Sequence, residues 1–200
     1  MAREAIRSFL AIKIPKTLKN EASVLMKRLE REHPDFRFLP PELWHLTLHF
    51  FGDLTGAQLL ELEVPLAEVA ESVPAFSIQW GYLGAFPNVR HPRILWLGIA
   101  GDIAELNRLK SKLDQVLVAL KFPVEPGPFV PHVTVARVRK EATKRLPGVV
   151  LPPWRQGSNQ LVDSLALFSS QLRPQGAQHN CLKRFFLASR PPKASPSDHR

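Results

Sequence analysis

The pattern His-x-Thr-x occurs twice in this 200-residue chain, as His45-Leu46-Thr47-Leu48 and as His132-Val133-Thr134-Val135, 87 positions apart. Both copies lie in strand-like sequence, and a strand sends successive side chains to opposite faces. His45 and Thr47 therefore share one face while Leu46 and Leu48 pack on the other; His132 and Thr134 stand in the same relation to Val133 and Val135. Each copy presents an imidazole and a hydroxyl on a backbone anchored by aliphatic residues. If each strand belongs to its own αβ half, packing the halves together brings the two surfaces into one cleft.

The elements around the two copies follow from hydrophobic period and turn residues. Ile6, Leu10, Ile12 and Ile14 mark a half-buried strand ending at Pro15, and Leu18, Ala22, Leu25 and Leu29 mark a helix stopped by His33-Pro34. An extended stretch, residues 36–51, is broken by Pro40-Pro41 and closed by Gly52-Asp53. Thr55 to Val69 reads as helix, with Pro65 expected to kink or restart it. Phe76, Ile78 and Trp80 alternate as a strand, residues 81–92 read as a Gly- and Pro-containing loop, and Ile94 to Ile99 as the next strand. Asp102 and Glu105 have capping-box spacing ahead of a helix striped by Ile103, Leu106, Leu109, Leu113, Val116 and Leu120. A Pro-rich loop, 122–131, leads into the strand of the second copy, and strands over 161–169 and 181–188 flank a turn holding Arg173, Pro174 and Gly176. The order β-α-β-α-β-β-α-β-β-β predicts an α+β fold with antiparallel sheets. One domain is expected over residues 1–189, with a disordered Pro- and Ser-rich tail over 190–200.

Composition narrows the choice of partner. The hydrophobic content of 44% suffices for a core, no apolar run approaches the roughly 20 residues of a membrane span, and the N-terminus lacks the layout of a signal peptide. A soluble, cytoplasmic monomer with no membrane partner is expected. The single cysteine, Cys181, excludes an internal disulfide framework and a Cys-rich zinc site, and reads as a small apolar strand residue. The net charge is +9, and most of the excess remains when the tail is set aside, so the field of the body attracts polyanions.

Two imidazoles with two hydroxyls suit a phosphodiester, where one proton leaves the attacking oxygen and another reaches the leaving oxygen. Imidazole titrates near pH 6.5, so one ring is neutral and the other charged at working pH. Threonine hydroxyls donate to the non-bridging oxygens, where negative charge grows in the transition state. Arg137 lies five positions past His132 and faces the opposite side in an ideal strand, so it needs a bulge or a strand end to reach the cleft. A zinc hydrolase is the first rival, because His45 and His49 are four apart; on a strand that spacing separates them by about 13 Å, and the glutamate of a His-Glu-x-x-His site is absent. His49 is instead expected to hydrogen-bond within the sheet surface. The rival from another class is an RNA-binding module without catalysis, drawing on Trp44, Phe51, Tyr82, Phe86, Trp96 and Phe129. Most of these are expected in the core, with Tyr82 and Phe86 the exposed exceptions.

Four blocks carry a family resemblance: Arg7-Ser8-Phe9-Leu10-Ala11-Ile12-Lys13-Ile14-Pro15, Leu43-Trp44-His45-Leu46-Thr47-Leu48-His49-Phe50-Phe51-Gly52-Asp53, Pro131-His132-Val133-Thr134-Val135-Ala136-Arg137, and Leu182-Lys183-Arg184-Phe185. From Arg7 to about Ala188 the chain resembles the two-histidine (2H) phosphoesterases, and in particular the bacterial and archaeal RNA 2′,3′-cyclic phosphodiesterases often labelled 2′-5′ RNA ligases. The resemblance implies a bilobal α+β fold, two pseudo-symmetric αβ lobes with antiparallel sheets lining a central basic cleft. It implies His45 and His132 as the catalytic pair, with Thr47, Thr134 and Arg137 on the substrate phosphate, and neither metal nor cofactor. By the same analogy His45 protonates the leaving 3′-oxygen and His132 activates water. The implied substrates are RNA with 2′,3′-cyclic phosphate ends or small cyclic nucleotides, opened to a 2′-phosphate, with 2′-5′ joining as a reverse activity. The chain departs from the pattern at His49, and the loop Arg90-His91-Pro92-Arg93 has no transferable role.

Overall fold

Strand β1 (Ile6–Lys13) leads through Pro15 into helix α1 (Lys16–Glu32), whose buried stripe is Leu18, Ala22, Met26 and Leu29. The computed structural model describes residues 5–139, 157–173 and 176–189. Past His33 come strand β2 (Phe36–Phe38), a single 3-10 turn (Pro41–Leu43) begun by the Pro40-Pro41 pair, and β3 (His45–Leu54), which carries the first motif. The order continues with α2 (Gly56–Glu71), β4 (Phe76–Phe86), β5 (Ile94–Gly101), α3 (Ile103–Ala119), β6 (His132–Val138) with the second motif, β7 (Gln160–Val162), β8 (Ser164–Arg173) and β9 (Gly176–Phe186).

The strands form two sheets, β3-β1-β8-β9 and β2-β6-β5-β4-β7, in which every ladder is antiparallel. The α+β class expected from the order of elements is the one adopted. The unit β1-α1-β3 has a counterpart in β5-α3-β6: in each, a strand and a helix precede the motif strand, and the two strands pair. Helix α2 packs on β9 and α3, α3 on β4, and α1 on β2. The Trp80 indole N–H donates to Leu18 O at 2.8 Å and fastens α1 to the five-stranded sheet. One cluster of buried apolar side chains runs through both sheets and all three helices. A second, of Phe9, Ala11, Ala166 and Phe168, lies apart from it on the four-stranded sheet.

Several local expectations are corrected. β1 is not half-buried: it sits between β3 and β8, and residues 8–12 are covered on both faces. The stretch 81–92 is not a loop throughout, because β4 continues to Phe86. Its glycines serve close approach rather than a turn: Gly84 faces Trp96, and a Cβ there would overlap the indole ring. Helix α2 runs unbroken across Pro65, and the carbonyl left without its helical partner, that of Glu61, belongs to an exposed residue within reach of water. Asp102 is the N-cap of α3 but makes no side-chain cap bond; its carboxylate accepts from Ser77 N at 2.9 Å and ties the helix start to β4. The capping box stands at α2, between Thr55 and Gln58. The strand read over 161–169 is two strands: β7 pairs with β4, β8 pairs with β1, and the chain passes between the sheets at Asp163. Strand β9 begins at Gly176, and Cys181 within it is exposed rather than packed. The tail 190–200 lies outside the described residues.

Candidate active site

The two motifs occupy matching places in their sheets. Lys13 pairs with His45 and Ala11 with Thr47; Gly98 pairs with His132 and Trp96 with Thr134. Both ladders then slip by one residue. Leu10 pairs with His49, which leaves Leu48 without a partner, and Leu95 pairs with Ala136, which leaves Val135 without one. The fourth residue of each motif is thus a β-bulge, and a bulge re-aims the residues beyond it. Two successive residues are buried at each, Leu48-His49 and Val135-Ala136, so the alternation resumes with opposite parity. Arg137 is thereby exposed on the side of His132 and Thr134, and its counterpart in the first copy is Phe50, 55% exposed.

The histidine rings are held alike. His45 Nδ1 lies 2.6 Å from Leu43 O, and His132 Nδ1 lies 2.8 Å from Val130 O. A carbonyl only accepts, so Nδ1 carries the proton in both rings. That leaves Nε2 for chemistry, as a lone pair in the neutral ring and as N–H in the charged one. Phe9 and His179 flank His45 at 4.7 and 5.3 Å between ring centroids; Phe86 and Trp96 flank His132 at 5.0 and 5.9 Å. Strands β3 and β6 are in direct contact. A cleft of about 350 Å³ is lined by Thr47 and Phe50 from one sheet and by Phe86 and His132 from the other.

The surroundings of the two rings differ. Burial pushes His45 down from the ordinary 6.5 to about 4; the bond to Leu43 O opposes this, while the charges of His179, Lys19 and Arg137 add to it. His45 is neutral at pH 7 in the protein without substrate. The charge of Arg137 reaches this ring from the other sheet. Opposite His132 in the ladder there is only Gly98.

Four further residues belong to this neighbourhood, and sequence reading did not single them out. Arg37 stands directly opposite Arg137 in the β2–β6 ladder, both exposed. The Phe-Arg-Phe alternation of β2 carried that signal. His179 meets the rings of His45 and Phe9 edge-on, but its sequence reads as the end of a turn. Lys13 stands opposite His45 in the ladder, and the charge of Lys19 acts on the ring from α1. His49 does not bond within the sheet surface: it is 6% exposed, packs edge-on against Phe51 at 4.6 Å, and its Nε2 has no partner among the described residues. Past the bulge it lies buried on β3 and lines the same cleft as Thr47 and His132. Among the described residues, no three His, Cys, Asp or Glu side chains gather as a metal site. Of the aromatics considered for stacking, Trp44 and Trp96 are buried, Tyr82 is 66% exposed, and Phe86 is half-buried against His132.

The model of the family LigT like Phosphoesterase matches residues 12–96 and again residues 97–177, so that each match spans one motif. An RNA 2′,3′-cyclic phosphodiesterase of Aquifex aeolicus is 30% identical over 92% of this chain and 98% of its own. One of Methanothermobacter thermautotrophicus is 30% identical over 91% and 99%. A crystal structure of a Thermus thermophilus protein superposes with a TM-score of 0.75 at 25% identity, over 92% of this chain and 99% of that one. E. coli LigT, crystallised with 3′-AMP, shares the fold with a TM-score of 0.70 at 24% identity, over 92% of this chain and 99% of its own.

Proposed function

From the premise that the chain belongs to the LigT-like phosphoesterase family, we propose that it is an RNA 2′,3′-cyclic phosphodiesterase working by metal-independent acid/base catalysis with His45 and His132. The observation that carries the reading is the pair of motif strands in contact, each offering one histidine whose Nδ1 is committed to a carbonyl and whose Nε2 is available. Water adds to phosphorus while His132 takes its proton, the bond from phosphorus to O3′ breaks, and His45 delivers a proton to O3′; a 2′-phosphate remains. Thr47 and Thr134 donate to the non-bridging oxygens, and Arg137 balances the charge that grows on them.

His45 is neutral in the protein without substrate, so its role as acid depends on the substrate. The phosphate anion opposes the burial that strips the ring of its proton, and His45 becomes charged in the loaded cleft. With the 5′-hydroxyl of a second RNA in place of water, the same two transfers join RNA ends through a 2′-5′ linkage. The protein acts as a monomer in the cytoplasm in this reading; no helix among the described residues is long and apolar enough to cross a membrane.

The reading is tested by incubating EDTA-treated protein with RNA ending in a 2′,3′-cyclic phosphate and identifying the product. Full activity and a 2′-phosphate are expected. Formation of the 3′-phosphate, or loss of turnover restored by a divalent ion, would sink it.

A further inference from the structure

Among the described residues, two grooves outside the motif cleft differ in charge. One is lined by Lys110, Asp114, Glu125 and Phe129 among others. Its lysine is held in an ion pair with Asp114 and faces a further carboxylate in Glu125, so it offers a phosphate no excess positive charge. The second groove, of about 550 Å³, is lined by Lys13, Lys16, Lys19 and Arg184 against Glu42 and Asp163. None of these four cations forms an ion pair among the described residues. Lys13 stands opposite His45 in the β1–β3 ladder and the charge of Lys19 is felt at His45, so this groove begins beside the first motif. Burial and then the neighbouring Lys13 both disfavour the charged form of Lys19. Glu42 opposes this only in part, and a groove with more cations than carboxylates attracts a polyanion.

An aromatic completes the groove. Arg184 and Phe186 are two apart on β9, share a face, and lie with the guanidinium 5.9 Å from the ring centroid. Phe186 is 59% exposed and pairs across the ladder with Ser164, itself part of the groove wall. Single-stranded nucleic acids are held by a positive groove that tracks the phosphates and by aromatic rings on which bases stack.

We infer that this groove binds the nucleotides 5′ to the reacting end, with Lys13, Lys16, Lys19 and Arg184 on backbone phosphates and Phe186 stacked on a base. The inference rests on the phosphodiesterase reading and narrows its substrate class to oligoribonucleotide ends. The direction follows from covalent structure: a 2′,3′-cyclic phosphate terminates the 3′ end, so the rest of the chain leaves through the 5′-oxygen of the same nucleoside. Of these two grooves, this one sets four cations against two carboxylates, whereas the other sets one lysine against two.

The test compares cytidine 2′,3′-cyclic phosphate with a dinucleotide and a hexanucleotide ending in the same group, using the full chain and its Lys16→Ala/Arg184→Ala variant. Lys16 and Arg184 are exposed and are not ladder partners of either motif. In the unaltered protein KM should fall with length. In the variant, KM for the hexanucleotide should rise on the order of tenfold, with a shallower dependence on salt, while turnover of the mononucleotide stays unchanged. KM independent of length, a variant indistinguishable on the hexanucleotide, or equal losses on all substrates would each overturn the groove assignment and leave the phosphodiesterase reading standing. Absence of turnover at every length would overturn that reading and the groove with it.

Discussion

His45 and His132 each spend one ring nitrogen on a carbonyl two residues upstream, so neither has a second route for its proton. His-to-Ala changes should each lower turnover by about 10²–10⁴-fold, the range for a positioned proton-transfer group. The double change should cost much less than the product of the two, because the rings act as one unit. A substrate with sulfur as the 3′ leaving atom needs little proton assistance. It should largely rescue His45→Ala and leave His132→Ala impaired; rescue of the His132 variant instead would exchange the two roles. The two histidines stood out in the sequence because the motif is duplicated. The neutrality of His45 was not, since it comes first from burial, with Phe9 and His179 packed on the ring from β1 and β9, and then from the charges of His179, Lys19 and Arg137.

The strand pair β4–β5 shows how an element supports a residue it does not contain. Gly84 lets the Trp96 indole lie across β4, and that ring in turn touches Phe86 at 5.1 Å and His132 at 5.9 Å. Gly84→Ala forces Trp96 out of place, and overpacking of this kind costs roughly 1–3 kcal/mol. We expect a lowered urea midpoint together with reduced turnover on the ordinary substrate. A variant with unchanged midpoint and rate would show that the indole shelf plays no part in holding His132. Glycines are turn signals in isolation, which is why residues 81–92 read as a loop; only the partner strand reveals that one of them accommodates a tryptophan. The bulges at Leu48 and Val135 are likewise invisible along a single strand, because a bulge is a mismatch between two.

At the scale of the molecule, both sheets share one apolar core, and histidines buried on the four-stranded sheet make stability depend on pH. Burial lowers His45 to about 4 and also lowers His49 and His179 from 6.5. The unfolded chain binds protons at these sites before the folded one does, so stability is complete above about pH 6.5 and is lost as pH falls toward 4. For His45 alone the loss between pH 7 and pH 5 is on the order of 2 kcal/mol. Urea denaturation at these two pH values should show a clearly lower midpoint at pH 5. Equal midpoints would mean that the buried rings are protonated without strain.

By itself the sequence determined the class of fold, the two motif strands, their aliphatic anchors and the residue types available to a phosphodiester. All of these follow from period, spacing and side-chain chemistry within one segment. The strand order, the passage from one sheet to the other at Asp163, the change of parity that exposes Arg137 past the bulge and the pairing of Arg37 with it were decided only in the tertiary structure. So was the crowding of Lys13, Lys16, Lys19 and Arg184 along one groove. Each of these is a relation between segments far apart in the chain. Local pattern says which face a side chain takes within its own strand; what lies opposite that face is settled by register and by the packing of one lobe on the other.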